Sequence, residues 1–370
     1  MARSGEQANP GRQGLLAPRA NPELIGHEAA ERDLRRLFES GRLPHALLLM
    51  GPRGIGKATL AFRLARFILA RSGETGGSPS ERDGSSLAVS PESSVFRRIA
   101  AGWHADLLTI ERAYDARRKR LRSEIVIDDI REAVAFLRLT SAEDGWRIVI
   151  VDGGDEMNRN AGNALLKILE EPPRRALLVL VAHHPGRLLP TVRSRCRRVS
   201  LAPLSAAALR QLLRRYRPHI ADAEIEELAA LAIGSIGRAL DLADAGGIEL
   251  YRSIVALLAH RDPGALHVFA DKLARPGAEE AYRVVEELLA QVLARIAVGA
   301  MRGDAPALQG GGPAKMEEVA LGTLRRAADP ARWASLREDI ARDFLAADQL
   351  NLDRKQALLG AFFAIERMAG

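Results

Sequence analysis

The sequence has a single cysteine and no long apolar run. With one cysteine in 370 residues, an internal disulfide and any cysteine-based zinc site within one chain are excluded. No apolar stretch reaches the ~18 residues that a membrane span needs. The first 20 residues are polar and lack the apolar stretch of a signal peptide. We therefore expect a cytoplasmic protein that binds neither zinc nor membranes.

Length and charge set wider limits. A chain of 370 residues is too long for one ordinary core and predicts two or three domains. The net charge of +7 suits nucleic acid or another acidic partner. Because nearly all the cations are arginine, a bias in composition explains the charge equally well. Charge alone therefore carries little weight in the functional argument.

Apolar segments alternate with helical patterns in the first half of the chain. Strands are predicted at His45–Met50, Arg147–Asp152 and Ala176–Ala182, with a short β-branched segment at Ile125–Ile127. Helices are predicted at Pro22–Ser40, Gly56–Arg71, Asp129–Leu139 and Asn160–Glu171, with Asp128 or Asp129 as the N-cap of the third. Continuous apolar strands between helices indicate a parallel sheet covered on both faces.

The strands stop after Pro203, and the remaining pattern is helical. Short helices are predicted at Ser205–Tyr216, Ala221–Ile233 and Ile236–Ala245, and further helices from Ile248 to Gly370. The fold class is therefore an α/β domain with a parallel sheet, then a small helical lid and an all-α C-terminal domain. The predicted boundaries are a disordered tail at 1–21, the α/β domain at 22–200 with a flexible insertion at 72–92, the lid at 201–247 and the helical domain at 248–370.

The segment Gly51-Pro-Arg-Gly-Ile-Gly-Lys57 matches the phosphate-binding pattern G-x-x-x-x-G-K. It follows a predicted strand and opens a predicted helix, so backbone N–H groups and the helix N-terminus would face a phosphate. Lys57 would reach the β- and γ-phosphates. The alternative is a glycine-rich turn that binds nothing. The candidate nucleotide-binding residues of this P-loop are Gly51, Arg53, Gly54, Ile55, Gly56, Lys57, Ala58 and Thr59.

Two positions near this loop lack the residues that hydrolysis needs. Ala58 stands where a Ser or Thr hydroxyl would ligate Mg²⁺, and Thr59 is turned away by the ~100° between neighbouring helix residues. Asp152 ends an apolar strand and would lie near the metal, unless it only caps the strand end. The next residue, where such ATPases usually have a water-orienting Glu, is Gly153, and Asp155 lies beyond the strand on a turn. Both positions argue against efficient hydrolysis.

The tripeptide Ser194-Arg195-Cys196 follows the third predicted strand. An exposed Arg195 could reach the γ-phosphate of a neighbouring subunit as an arginine finger, a role worth ~10³–10⁵ in the rate of phosphoryl transfer. The alternative is an ordinary surface arginine in an arginine-rich chain. Cys196 is expected to be a small buried residue and not a nucleophile, since no catalytic constellation accompanies it.

Together these segments resemble the AAA+ clamp-loader family, and within it the delta-prime type of bacterial DNA polymerase III subunit. The likeness covers most of residues 22–245. It rests on Ile25-Gly-His-Glu28, Leu43-Pro-His-Ala46, the P-loop, the stretch from Asn163 to Pro173 and the Ser194-Arg-Cys196 tripeptide. The C-terminal half matches only in being helical.

The resemblance implies an AAA+ module, a lid and a C-terminal collar domain that holds a ring of subunits together. In such a ring motor subunits hydrolyse ATP, and the complex places a sliding clamp on primer-template DNA. A delta-prime subunit usually lacks ATPase activity and resembles a stator whose arginine, here Arg195, completes the ATP site of its neighbour. The implied partners are the gamma/tau and delta subunits, the clamp and primer-template DNA, within a DNA polymerase (nucleotidyltransferase) holoenzyme. ATP or ADP would bind weakly or not at all.

Departures from the family separate the alternatives. Gly237 stands where the Gly-Ser-x-Arg lid motif of motor subunits has arginine, and Arg238 follows one step later. This favours a non-hydrolysing subunit. The alternative, an ATP-hydrolysing motor or remodelling ATPase, is supported by the P-loop lysine and Asp152. The zinc-binding cysteine cluster of many relatives is absent, and residues 72–103 take its place. A DNA-binding replication initiator is a third reading, without a helix-turn-helix signature in residues 248–370.

Two further features stay open. Arg117-Arg-Lys-Arg120 with Arg122 could contact a nucleic-acid backbone without sequence preference, or form a solvated hairpin loop. Few aromatic residues flank this cluster, so base stacking is not expected. His183-His184 occupy the place of a polar sensor residue, and no third metal ligand is in view.

Overall fold

The computed structural model describes residues 16–72, 86–115, 120–141, 145–302, 321–350 and 352–369. The tail predicted at 1–21 and the insertion predicted at 72–92 lie largely outside these ranges. The described residues form two compact units. The first runs to His219 and includes Ile233–Arg238, and the second comprises Ile220–Ala232 and the residues from Ala239 onwards. The domain boundaries at 200 and 247 stay predictions.

A parallel sheet forms the centre of the first unit. The strands in chain order are β1 (Ala46–Met50), β2 (Leu107–Ile110), β3 (Tyr114–Asp115), β4 (Arg120–Leu121), β5 (Arg147–Asp152), β6 (Ala176–Ala182) and β7 (Arg197–Ser200). β3 and β4 pair as an antiparallel hairpin, and the other five strands form a parallel sheet in the order β2-β5-β6-β1-β7. The parallel sheet predicted from the alternating pattern is confirmed.

Helices cover both faces of this sheet, because neighbouring residues of a strand point to opposite sides. Leu47 and Leu49 of β1 lie in one apolar layer, and Ala46 and Leu48 lie in the other. The helices of this unit are α1 (Glu28–Glu39), α2 (Lys57–Ser72), α3 (Ser94–Ala100), α4 (Ile127–Arg138), α5 (Arg159–Ala164), α6 (Leu166–Glu170), α7 (Pro190–Arg195) and α8 (Ala206–Tyr216). The first layer packs α1, α2 and α3, and the second packs α4 to α7.

The second unit is helical throughout its described residues. Its helices, the first turn of α10 excepted, include α9 (Asp222–Leu231), α10 (Ile236–Asp244), α11 (Gly247–His260), α12 (Pro263–Ala274), α13 (Glu279–Arg302), α14 (Pro330–Leu350) and α15 (Arg354–Ala369). Residues 321–327 are also helical. The ring of Tyr282 on α13 meets Phe344 on α14 edge-on at 5.8 Å. Nowhere in the described ranges is a helix both long and apolar enough to cross a membrane. The predicted fold class, an α/β P-loop domain followed by helices, is confirmed.

Two strands of the parallel sheet were not predicted from the sequence. β2 and β7 are short strands at the edges of the sheet, and β7 is mostly exposed, so neither gives a long apolar run. The predicted helix Pro22–Ser40 was too long at its start. α1 begins at Glu28 because Gly26 has a φ of +86°, which a right-handed helix excludes. The predicted helix Asn160–Glu171 divides at Leu165 into α5 and α6.

The start of α4 also differs from its prediction. Ile125 makes only an isolated bridge with Met157, and Ile127 already belongs to the helix. Neither Asp128 nor Asp129 is the N-cap, because both lie in the first turn. The carboxylate of Asp129 instead accepts the backbone N–H of Val126 at 3.0 Å. An acid in this position still satisfies a helix-end donor and favours the helix dipole.

Candidate functional site

The P-loop connects the carboxyl end of β1 to the first residue of α2. Gly51, Gly54 and Gly56 have φ values of +146°, +75° and +102°, a region that other residues rarely enter. α2 begins directly at Lys57, so its free N–H groups and positive dipole end face the loop. The strand–loop–helix context that the sequence predicted is confirmed. Phosphate binding by this loop stays a prediction.

Lys57 is turned back onto its own loop. Its side chain is buried, and its Nζ donates to the carbonyl oxygen of Gly51 at 2.7 Å and to that of Pro52. Burial lowers the pKa of Lys57 to about 8, against the opposing charges of Asp152 and Asp155. A phosphate would therefore have to replace these carbonyl oxygens as the partner of the ammonium group.

The residues after Lys57 do not supply a magnesium ligand. Ala58 has no side-chain oxygen, and Thr59 is buried one residue further along α2. The ~100° between them directs Thr59 away from the position of the missing hydroxyl. The loop therefore fits a phosphate group through its backbone and Lys57, but it does not fit the bound Mg²⁺ that hydrolysis requires.

Asp152 is the last residue of β5, and its carboxylate interacts electrostatically with the ammonium group of Lys57. Burial and the charge of Glu111 raise the pKa of Asp152 to about 6, against the charge of Lys57. Gly153 follows with a φ of +92°, and a Cβ built on it would lie 2.6 Å from Oε2 of Glu156. A φ in this range favours glycine, and Gly153 has no side chain that could orient a water molecule.

Asp155 holds the ends of two strands together. It lies buried in a short 3₁₀ turn, Gly154–Glu156, as the predicted turn position requires. Its carboxylate accepts the backbone N–H groups of His183 at 3.0 Å and His184 at 2.7 Å. Burial alone would raise the pKa of Asp155, but these hydrogen bonds outweigh it and the pKa is lowered. An acid engaged in this way is a structural group and a poor candidate for orienting water.

His183 is a neutral imidazole beside the P-loop lysine. Burial, followed by the charge of Lys57, lowers the pKa of His183 to about 4. Its Nδ1 atom makes no hydrogen bond within the described part of the chain. His184 is exposed. Among the described residues no group of three His, Cys, Asp or Glu side chains could hold a metal ion.

Two other segments contact the P-loop, and neither contact was predicted from the sequence. On one side, Nε2 of His27 donates to the carbonyl oxygen of Ile55 at 2.7 Å. On the other, Oγ of Ser235 donates to the carbonyl of Arg53 at 2.8 Å, and the N–H of Gly237 donates to the carbonyl of Gly54 at 3.0 Å. The P-loop carbonyls are therefore engaged by both the start of α1 and the start of α10.

Arg195 lies at the carboxyl end of α7 with its side chain 38 % exposed. Its guanidinium donates to the carbonyl of Thr191 at 3.1 Å and forms a 2.7 Å ion pair with Glu170. The next residue, Cys196, is buried, and this burial raises the pKa of its thiol to about 11. The prediction that Cys196 is a buried residue is confirmed. Glu170 was not among the candidate residues, because a single sequence does not show that it pairs with Arg195.

The basic cluster at Arg117–Arg120 falls outside the described side chains. β3 and β4 on either side of it pair as an antiparallel hairpin. Arg122 is exposed just after β4, and its backbone N–H donates to the carbonyl of Ala113. A role of this hairpin on nucleic acid stays a prediction.

Comparison with known proteins agrees with the fold and the motifs. The model of the family described as "DNA polymerase III, delta subunit" matches residues 26–205. DNA polymerase III subunit delta' of Pseudomonas aeruginosa is 36 % identical over 191 residues, which are 52 % of this chain and 53 % of that protein. Subunit delta' of Escherichia coli is 30 % identical over 226 residues, 61 % of this chain and 62 % of that protein. Subunit tau of Escherichia coli is 29 % identical over 231 residues, 61 % of this chain and 33 % of that protein.

The chain thus spans about half to three fifths of the length of its delta' relatives. Among solved structures, a DNA polymerase III gamma subunit-related protein of Thermotoga maritima is 20 % identical with a TM-score of 0.42, covering 91 % of this chain and 99 % of that one. The family match lies on the segment that carries the P-loop, the Asn163–Pro173 stretch and the Ser194-Arg-Cys196 tripeptide. Through residues 26–205 the chain is similar to the family described as DNA polymerase III, delta subunit.

Proposed function

We propose that this chain is a delta-prime-type subunit of a bacterial clamp-loader ring, which does not hydrolyse ATP itself. In this role it gives Arg195 to the ATP site of a neighbouring motor subunit and so helps to load a sliding clamp onto primed DNA. The observation that carries the proposal is the contrast between two sites. Arg195 is exposed at the end of α7, whereas the chain's own P-loop lacks a magnesium ligand at Ala58.

Weak nucleotide binding follows from the same contrast. ATP or ADP could still contact the backbone of the P-loop, but Lys57 is occupied by the carbonyls of Gly51 and Pro52. Without a hydroxyl at Ala58, Mg²⁺ would add little to the affinity. We therefore expect weak, largely Mg²⁺-independent binding or none, and no zinc.

The partners and the location follow from the relatives' names. Gamma, tau and delta' proteins are subunits of DNA polymerase III. We propose gamma/tau and delta subunits as the ring neighbours, with the sliding clamp and primer-template DNA bound through the whole complex. A subunit that replicates bacterial DNA would work in the cytoplasm.

A second candidate function is an ATP-hydrolysing motor or remodelling ATPase. Lys57 and Asp152 favour it, since both match the residues that hold phosphate and metal in active P-loop enzymes. Asp155 does not add to this case, because its carboxylate is engaged by two backbone N–H groups. The two candidates differ in whether the isolated chain turns over ATP.

The test is an ATPase assay on the isolated chain and on a reconstituted complex with clamp and primed DNA. The isolated chain should show no turnover, and Arg195→Ala should reduce the turnover of the complex. Arg198→Ala, an exposed arginine on the neighbouring strand β7, is the matched control and should leave turnover unchanged. Substantial turnover by the isolated chain would overturn the stator role. An unchanged complex with Arg195→Ala would overturn the arginine finger.

A further inference from the structure

Two of the segments that resemble the clamp-loader family, Leu43-Pro-His-Ala46 and Asn163–Pro173, meet at the end of α6. His45, from the Leu43-Pro-His-Ala46 segment, immediately precedes β1. Its Nε2 lies 3.1 Å from the carbonyl oxygen of Leu169 on α6. A carbonyl oxygen only accepts, so Nε2 carries the proton and donates it in this hydrogen bond. The sheet therefore holds the last turn of α6 by a specific bond.

The side chain of Glu170 projects from a backbone that is fixed on both sides. Ile168 and Leu169 are buried in the core beneath α6, and Pro172-Pro173 prevent the helix from continuing. Glu170 itself is the last residue of the helix and is exposed. Its carboxylate is thus presented to solvent from a well-anchored position.

The backbone of Arg195 is anchored in the same way. Val192 and Cys196 are buried on either side of it, and Pro190 starts the helix. The two terminal nitrogens of the guanidinium are engaged separately, one by the carbonyl of Thr191 and the other by Glu170. Since a guanidinium has five N–H donors, these two contacts leave three donors for a further acceptor.

We infer that Glu170 is a positioning residue for Arg195, which holds the guanidinium in a fixed orientation before a neighbour's nucleotide arrives. The inference rests on the proposed function of Arg195 as an arginine finger. An exposed ion pair adds little to folding stability, so stability does not explain this pair. A long side chain that is already ordered loses less entropy when it binds a phosphate. Glu170 therefore acts on turnover through Arg195 and not by itself.

The experiment is a double-mutant cycle in a reconstituted clamp-loader complex. The motor subunits carry alanine at their own finger positions, so that Arg195 supplies the one finger under study. Turnover is measured for the wild-type chain, Glu170→Ala, Arg195→Ala and the double variant, with complex assembly checked by size-exclusion chromatography. Glu171→Ala, which removes the same charge from the adjacent exposed residue, is the matched control.

Glu170→Ala should lower kcat by about 2- to 10-fold, the scale of ordering one long side chain, with little change in KM. In the Arg195→Ala background the same substitution should change nothing, because the group it positions is gone. Glu170→Gln, which keeps an acceptor oxygen, should recover part of the loss, and Glu171→Ala should have no effect.

Other outcomes separate the possible failures. An unchanged kcat in Glu170→Ala, with a large loss in Arg195→Ala, would overturn the positioning role and leave the finger in place. An equal loss from Glu170→Ala in both backgrounds would show that Glu170 acts without Arg195 and would also overturn the inference. No loss from Arg195→Ala would overturn the proposed function itself.

Discussion

The backbone of Gly237 lies directly against the backbone of Gly54. The N–H of Gly237 donates to the carbonyl of Gly54 at 3.0 Å, and a Cβ built on Gly237 would lie 2.9 Å from the Cα of Gly54. In the opposite direction, a Cβ on Gly54 would lie 2.5 Å from Oγ of Ser235. Neither position accepts a side chain without a shift of backbone. Gly237 stands where motor subunits have an arginine, and its lack of a side chain also permits this close backbone contact.

The first prediction is that Gly237→Ala destabilises the protein. The added methyl must push the start of α10 away from the P-loop, a type of overpacking that costs about 1–3 kcal/mol. Denaturant unfolding should show a lower midpoint, and hydrogen exchange should show faster exchange at the amide of residue 237. The control is Gly186→Ala, where nothing lies within 4 Å of the added Cβ. Equal stability of the two variants would contradict the contact between Gly237 and Gly54.

The strands that carry the site were predictable from the sequence, whereas most of the contacts between its residues were not. β1, β5 and β6 are largely buried and mostly apolar, so their places in the sequence could be predicted. The P-loop follows β1, Asp152 ends β5, and the His183-His184 pair follows β6. β2 and β7 could not, because short edge strands lack a long apolar signature. The apolar pattern of the central strands therefore predicted which candidate residues lie at the carboxyl edge of the sheet.

Contacts between segments distant in sequence could not be read in this way. Arg195 was visible as a candidate, but the identity of its partner depends on how α6 and α7 pack. Gly153 was visible as an absent Glu, but its φ of +92° is a property of the folded backbone. One sequence gives residue types and periodicity, whereas these relationships depend on tertiary packing.

The second prediction concerns the magnesium ligand. Ala58→Thr restores a hydroxyl at the first turn of α2, directly after Lys57. Outer-shell partners of a metal alone are worth about 10–100-fold in metal affinity, so a direct ligand should be worth at least about tenfold in Mg²⁺-dependent nucleotide affinity. Calorimetric titration with ATP in Mg²⁺ and in EDTA should show a metal effect in the variant and almost none in the wild-type chain. Tight Mg²⁺-dependent binding by the wild-type chain would contradict the reading of Ala58.

The third prediction is a loss of stability as the pH falls, caused by His183. Because the pKa of His183 is lowered from 6.5 to about 4 in the folded protein, its contribution is complete above about pH 6.5 and is lost as the pH falls towards 4. His183→Asn cannot be protonated in this range, so its stability should fall less steeply, by about 1–3 kcal/mol over the window. Unfolding midpoints at several pH values measure the difference.

The control for this titration is His184→Asn at the exposed neighbouring position. The charged groups that act on His183 are Lys57, Asp155, Arg53 and, with the smallest effect, His184. The first three are the same in all three proteins, and the His184→Asn control also shows how much His184 contributes. The pKa of Asp152 is raised to about 6, so its contribution to folding stability is lost in the opposite direction, as the pH rises through 6. This effect is present in each of the three proteins. Parallel pH profiles of the wild type and His183→Asn would contradict the prediction.

The last prediction assigns Asp155 to structure. Asp155→Asn keeps one acceptor oxygen but places an amide NH₂ against the second backbone N–H, so one of the two bonds from His183 and His184 is lost. Losing a buried hydrogen bond to a charged group should cost about 1–3 kcal/mol. Glu156→Gln, on the same turn, removes only a part-exposed ion pair with Arg112 and should cost at most about 1 kcal/mol. Chemical denaturation of both variants tests the difference, and turnover of the reconstituted complex should follow stability. Loss of turnover in a fully stable Asp155→Asn chain would instead return Asp155 to the catalytic candidates and favour the motor reading.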